Sequence, residues 1–270
     1  MDVVVVHRAS QEALARCLAA LHGQRYPECR VVVVLAGAKL EAPAELEREA
    51  KLVRSQGASV EAAREAALEA VEGDWVCFLD EEDVPAEALL ETLVRAQAAS
   101  GADVVSCGLS LADGENDASR LHFFPGEPHA LGLLANGYGT VALIRRSLLG
   151  DLQTPWPVVG DSDWPLLAGL SAGGARIVSV PAALVTRTLP PGTIERHPSD
   201  ALLVVEQLER ALPEQLRSLA RLAAGLAADA QRQTPVPAPG LARRAARVLR
   251  QEGFLELGRR SLRGLSGRSR

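Results

Sequence analysis

Along residues 1–108 short apolar runs alternate with amphipathic stretches. Val3–Val6, Val31–Leu35, Leu52–Val53, Trp75–Leu79 and Asp103–Ser106 have the length and β-branched content of strands. Between them, Leu14, Cys17, Leu18 and Leu21 fall at helical spacing after Ser10, a residue type suited to an N-cap. Further helical stretches run over Leu46–Ala50 and over Ser59–Val71, the latter closed by Gly73. Pro85 suits the first turn of another helix, reaching about Ala98 before Gly101. Strand and helix in alternation predict βαβ units and a mostly parallel sheet covered on both faces.

Beyond residue 108 the pattern loosens. Asp113–Asp117 reads as a turn, Tyr138–Ile144 as a strand and Asp163–Ala172 as a helix. Arg176–Val180 and Ala183–Arg187 read as two closing strands, and helical stretches follow Pro198 to about Gln231. Thr234–Gly240, with three prolines, is a stiff linker. The expected division is a domain over 1–190, a helical extension over 191–233, the linker over 234–240 and a tail over 241–270.

Charge adds one feature that hydropathy misses. The chain carries −5 overall, but residues 241–270 hold nine Arg against Glu252 and Glu256, a net of +7, leaving −12 on the rest. Leu241, Ala245, Val248, Leu255 and Leu262 give this tail an amphipathic pattern. That suits peripheral attachment to an anionic membrane surface, or packing on a partner. Nucleic acid is not an expected partner, because few aromatic side chains are present for stacking. The four cysteines lack metal-ligand spacing and read as buried free thiols. The scattered His22, His122, His129 and His197 read as surface or loop residues. No apolar run reaches the roughly 20 residues of a spanning helix, so the expectation is a cytoplasmic protein, with the inner membrane face as the alternative.

In a parallel sheet ligands bind beyond the carboxyl ends of the strands. Here those ends carry His7-Arg8, Ala36-Gly37-Ala38 and Asp80-Glu81-Glu82-Asp83. Carboxylates at the tip of an apolar strand form a hard oxygen site of the kind Mg2+ and Mn2+ take, usually together with substrate phosphates. The same acids also suit the N-terminus of a following helix, whose dipole favours negative charge.

Several segments, in order, resemble the family 2 glycosyltransferases. Leu14–Pro27 with Gln24-Arg25-Tyr26-Pro27, Val60–Arg64 leading to Gly73–Asp80, and Gly101–Val105 are similar to its nucleotide-binding half. Asn136–Gly139 with Ile144–Ser147, and Gly160–Leu167, are similar to its acceptor half. The resemblance covers about residues 3–230. It implies a GT-A-type (Rossmann-like) α/β fold, with 1–108 as the nucleotide half and 109–190 as the acceptor half. It also implies a nucleotide-sugar donor, a glycan or lipid-linked acceptor, and Mn2+ or Mg2+ as cofactor.

Carried over by position, the resemblance implies that His7, Arg64 and Asp80 bind the nucleotide. Glu82 and Asp83 would hold the metal, and Asn136, Tyr138 and Trp164 would meet the acceptor. Asp163 would be the general base of an inverting displacement. Read from the residues alone, Trp164 and Tyr138 also fit core aromatics, and Asp161 fits an N-cap. The chain departs from the family pattern where Leu35-Ala36-Gly37-Ala38 replaces a segment with two acids, and at His7, Glu65, Ala67, Glu82 and Thr140. Each buried hydrogen-bond partner lost costs roughly 1–3 kcal/mol. Those departures keep a second reading open, a catalytically degenerate module that binds glycan or scaffolds an active enzyme.

Overall fold

The computed structural model describes residues 1–37, 40, 46, 50–113, 116–122, 126–128, 138–139, 141–150 and 163–189. The expected helical extension, linker and basic tail, together with Asn136, Asp161 and most of Leu46–Ala50, lie outside the described residues.

The first half joins parallel strands to helices that pack on the sheet. Strand β1 (Asp2–His7) leads to helix α1 (Gln11–His22), and β2 (Arg30–Ala36) precedes β3 (Lys51–Ser55). Helix α2 (Val60–Leu68) leads to β4 (Trp75–Asp80), short β5 (Asp83–Pro85) and helix α3 (Leu89–Ser100). Then come β6 (Val104–Asp113), β7 (Asn116–His122), β8 (Val141–Arg145) and helix α4 (Ser147–Gly150). Helix α5 (Trp164–Ala172) and strand β9 (Ile177–Leu189) follow. The sheet order is β3-β2-β1-β4-β8-β6-β9-β5, with β7 on β6. β3, β2, β1 and β4 run parallel, and β8 joins β4 and β6 antiparallel.

Period-two alternation divides the core between the two sheet faces. Val4, Val6, Val76 and Phe78 pack with Val60, Ala63 and Ala67 of α2 and with Leu166 and Leu167 of α5. Val3, Val5, Cys77 and Leu79 pack instead with Leu14, Cys17 and Leu18 of α1 and Leu89, Leu90 and Leu93 of α3. Burial on both faces explains the unbroken apolar runs of β1 and β4.

Ser10 caps α1 as expected, its Oγ accepting from the Ala13 amide at 3.1 Å. Pro85 does not start a helix. It ends β5, and α3 begins at Leu89 without a side-chain cap from Ala88. The Gln24 side chain holds that helix start instead, accepting from the Leu90 amide at 3.1 Å and donating to Ala86 O at 2.7 Å. The strand expected at Asp103–Ser106 extends to Asp113, and Asn116 already belongs to β7, so most of the expected turn at Asp113–Asp117 is strand. The two expected closing strands are one. In β9, Val180 pairs with Cys107 and Ala183 with Gly108, so Pro181 and Ala182 bulge where a proline has no amide to give the ladder.

At the amino end of the sheet a buried charge is fully satisfied. The Asp2 carboxylate accepts from Arg30 Nε and Nη2 at 2.8 and 3.0 Å, and from the amides of Glu72 and Gly73 at 2.8 and 2.6 Å. A Cβ on Gly73 would lie 3.1 Å from that carboxylate and 3.0 Å from Met1 Cα, which explains the glycine.

Candidate active site

The four acids at the tip of β4 serve different ends. Asp83 sits opposite Arg187 in the β5–β9 ladder. Both of its oxygens accept from that guanidinium, at 2.7 and 2.8 Å, and Oδ2 also accepts from the Asp80 amide at 2.9 Å. This last bond fixes the turn from residue 80 to 83. Asp80 shares Arg187 through Oδ2, at 3.0 Å from Nη2, while its Oδ1 is buried and has no hydrogen-bond partner among the described residues. Burial works against the charge on Arg187, yet Asp83 and Asp80 together hold its pKa well above the ordinary value.

Glu81 turns back toward the loop between β1 and α1. Its carboxylate pairs with His7 Nδ1 and accepts from the amides of Arg8, Ala9 and Ser10, at 3.3, 3.1 and 3.2 Å. Burial alone would raise its pKa; the His7 bond and the Ser10 and Arg8 amides outweigh that and leave it lowered. His7 is fully buried, and with Nδ1 on Glu81 its Nε2 has no partner among the described residues. Glu82 is the outward acid, its side chain 34% exposed and 3.6 Å from Arg8. Burial pushes its pKa up.

A second ion pair joins the helices on the same face of the sheet. Arg64 of α2 donates through Nη1 to Asp163, the residue just before α5, across 99 positions of sequence. Phe78 lies under the Arg64 guanidinium at 5.1 Å, and the charge of Asp80 acts on Arg64 as well. Burial raises the Asp163 pKa, against the opposing pull of Arg64. Arg64 and Asp163 are 3% and 8% exposed, so the base expected from sequence is sheltered and already paired.

The structure therefore brings together Asp80, Asp83, Arg64 and Asp163, with Glu82 at the rim. His7 stands apart behind Glu81. Tyr138 and Trp164, expected at the acceptor, are 0% and 5% exposed and belong to the apolar core. Glu81 and Arg187 were missed by sequence reasoning. Arg187 left one signal, the single charged residue of the closing strand β9. A cavity of about 460 Å³, lined by Leu68, Asp74, Trp75, Arg145, Arg146, Ser147 and Gly150, lies at the opposite end of β4 and none of these acids lines it.

Among the described residues no three His, Cys, Asp or Glu side chains converge to hold a metal ion by themselves. Asp80 Oδ1 and Glu82 still fit a divalent cation held jointly with a diphosphate, since Mg2+ sites commonly use one or two carboxylates plus phosphate oxygens. Asp83 has both oxygens committed to Arg187.

A half-sheet of parallel strands ending in acids, continued by an antiparallel β8 and a second acidic helix start, defines a GT-A glycosyltransferase fold. The chain matches the model of "Glycosyl transferase family 2" over residues 2–152, more than half its length, and it belongs to that family. No curated protein matches it. Among solved structures it is similar to Staphylococcus aureus TarS 1–349, at 19% identity and TM-score 0.62, covering 81% of this chain and 68% of that one. The same TarS segment in complex with UDP-GlcNAc aligns at 18% identity and TM-score 0.61, over 81% and 69%. A mannosyltransferase from Pyrobaculum calidifontis in complex with GDP-Man and Mn2+ aligns at 19% and TM-score 0.55, over 93% and 80%. At these identities the likeness is one of fold. No helix among the described residues is long and apolar enough to cross a membrane.

Proposed function

We propose that this chain is an inverting glycosyltransferase of bacterial surface polysaccharide synthesis. It moves a sugar, of hexosyl type, from a nucleoside diphosphate donor to a hydroxyl of a glycan or lipid-linked acceptor. The observation that carries the reading is the convergence of Asp80, Arg64 and Asp163, from three separate elements, at the carboxyl end of the parallel strands.

Asp163 is the base in this reading. It takes the acceptor proton as the hydroxyl attacks the anomeric carbon and the bond to the diphosphate breaks. Positioning matters more than ground-state basicity for such a proton, which leaves mainly in the transition state. Arg64 favours the ionised form of Asp163 against its burial and orients it, and Phe78 packs on the Arg64 guanidinium. Asp80 Oδ1, buried without a hydrogen-bond partner among the described residues, is assigned to the nucleotide end, with the more exposed Glu82 following in the same turn. A divalent cation held by Asp80 and Glu82 would neutralise charge on the leaving diphosphate. The basic stretch 241–270 supports placement at an anionic membrane surface on the cytoplasmic side, near lipid-linked acceptors.

One observation favours a second reading, a catalytically silent GT-A module. Ala36 ends β2 and Gly37 follows it where the family carries acids, so the nucleotide base lacks a carboxylate partner there. Titration calorimetry of the full chain with UDP and with GDP, each with Mn2+, separates the two. Micromolar binding together with donor turnover on a panel of nucleotide sugars is the expected result. No binding of either nucleotide at millimolar concentration would assign the silent module.

A further inference from the structure

We propose that Arg187 is a built-in counter-cation that makes metal binding at the β4 tip conditional on the donor diphosphate. This inference rests on the transferase reading above and concerns a residue to which that reading gave no role.

The carboxylates Asp80 and Asp83 offer four oxygens. Arg187 binds three of them: both of Asp83, at 2.7 and 2.8 Å, and Oδ2 of Asp80, at 3.0 Å. The ladder pairing of Asp83 with Arg187 aims the guanidinium there, and the Asp80 amide on Asp83 Oδ2 closes the turn around it. Arg187 is itself 8% exposed, so it is a fixture of the fold rather than a surface side chain. A planar guanidinium gripping a carboxylate by two parallel bonds is hard to displace.

What remains for a cation is Asp80 Oδ1, buried without a partner among the described residues, and Glu82, which leans toward Arg8 at 3.6 Å. Asp80 and Asp83 carry two negative charges, of which Arg187 cancels one, and Arg8 screens Glu82. A bare divalent ion at this place meets few free oxygens and a guanidinium charge close by. Fewer charged ligands weaken divalent-ion binding, and the weakest calcium modules bind at about 10⁻⁴–10⁻³ M. A diphosphate supplies the missing oxygens and charge, so cation and nucleotide enter as one complex. Arg187 acts through the two aspartates; it is a positioning residue.

The test is Mn2+ alone, titrated into the full chain with the free ion read by electron paramagnetic resonance, followed by the same titration with UDP or GDP present. The wild-type chain is expected to hold Mn2+ alone no more tightly than the millimolar range and to gain affinity with nucleotide. Arg187→Met, which releases Asp83 Oδ1 and Asp80 Oδ2, leaves Asp83 Oδ2 on the Asp80 amide and removes a cation, is expected to bind Mn2+ alone at least about tenfold tighter than wild type. Arg187→Lys keeps the charge, loses the two-point grip, and is expected to fall between them. Thermal melting reports whether each variant folds; if Arg187→Met does not, the order of wild type and Arg187→Lys carries the test. Micromolar binding of Mn2+ alone by the wild-type chain overturns the proposal, as does a folded Arg187 variant with unchanged Mn2+ affinity. If neither nucleotide binds, the transferase reading falls, while the nucleotide-free comparison still decides the role of Arg187.

Discussion

The two ends of the parallel half-sheet each bury an aspartate against an arginine, and they differ in what is left over. At the amino end, Asp2 receives four hydrogen bonds and its partner Arg30 is half exposed to water. At the carboxyl end, Asp80 Oδ1, Arg64 Nε and His7 Nε2 are buried without partners among the described residues. Buried polar atoms in native proteins are nearly always satisfied, and each exception asks for a reason. The amino end is complete in itself and serves stability. The carboxyl end keeps acceptors and donors in reserve, as a binding site does.

That contrast predicts opposite phenotypes. The largest effect should come from Asp163→Asn, which keeps shape and a hydrogen-bond acceptor for Arg64 but removes the carboxylate proposed as base. Turnover should fall by about 10²–10⁴, with the unfolding midpoint little changed, and nucleotide affinity measured by calorimetry should persist. Undiminished turnover in a folded Asp163→Asn chain removes Asp163 as base.

Asp2→Ala should do the reverse. It strips the Glu72 and Gly73 amides of their acceptor, each orphaned donor costing about 1–3 kcal/mol, so roughly 2–6 kcal/mol should disappear from urea unfolding. Turnover per folded molecule should stay at the wild-type level. Arg30→Ala should cost less, because the two amides still hold Asp2 and the lost cation was half in water. Equal losses from the two variants would mean that the amides contribute little and that the ion pair is the main support.

The smallest effect concerns pH. Burial alone would raise the Asp2 pKa, but Arg30 and the two amides outweigh it and hold the folded value below the ordinary 3.8. Stabilisation by the Asp2 carboxylate is therefore complete above the ordinary value and disappears as the pH falls through the lower folded one. Asp163 and Glu82 are raised by burial and run the other way, so their ionisation opposes folding and acid relieves it. The wild-type curve mixes both signs; the difference between wild type and Asp2→Asn isolates the amino end. Their urea midpoints should lie apart at neutral pH and converge as the pH falls below 3.8. A gap that keeps its full size down to pH values of about 2 would show that the charge on Asp2 contributes nothing to the lock.

Much of the framework is legible in the residue pattern itself. The valine runs of β1 and β2 and the Trp75–Leu79 strand need burial on both faces, and Ser10 and Gly101 mark helix ends through chemistry confined to a few residues. The misreadings arose where a distant residue overrode a local rule. Pro85 has helix-start chemistry, yet it pairs with Val185 in β9, and the Ala86 amide carries that pairing on by donating to Leu184 O at 2.8 Å. Gln24 then caps α3 from 66 residues away. Pro181 falls between the two expected closing strands, and because a proline has no amide for the ladder the sheet absorbs it as a bulge within one strand.

The candidate site divides the same way. That acids gather at the end of β4, and that an acid precedes α5, follows from residue order alone, because residue type and position along an element are local properties. Which acid does what emerged only on folding. Asp83 lies opposite Arg187, 104 residues away; Glu81 reaches the amide of Ala9, 72 residues earlier; Asp163 meets Arg64 across 99. A carboxylate's role follows from the donors around it, and in a doubly covered sheet those donors come from strands and helices that are neighbours in space and strangers in sequence.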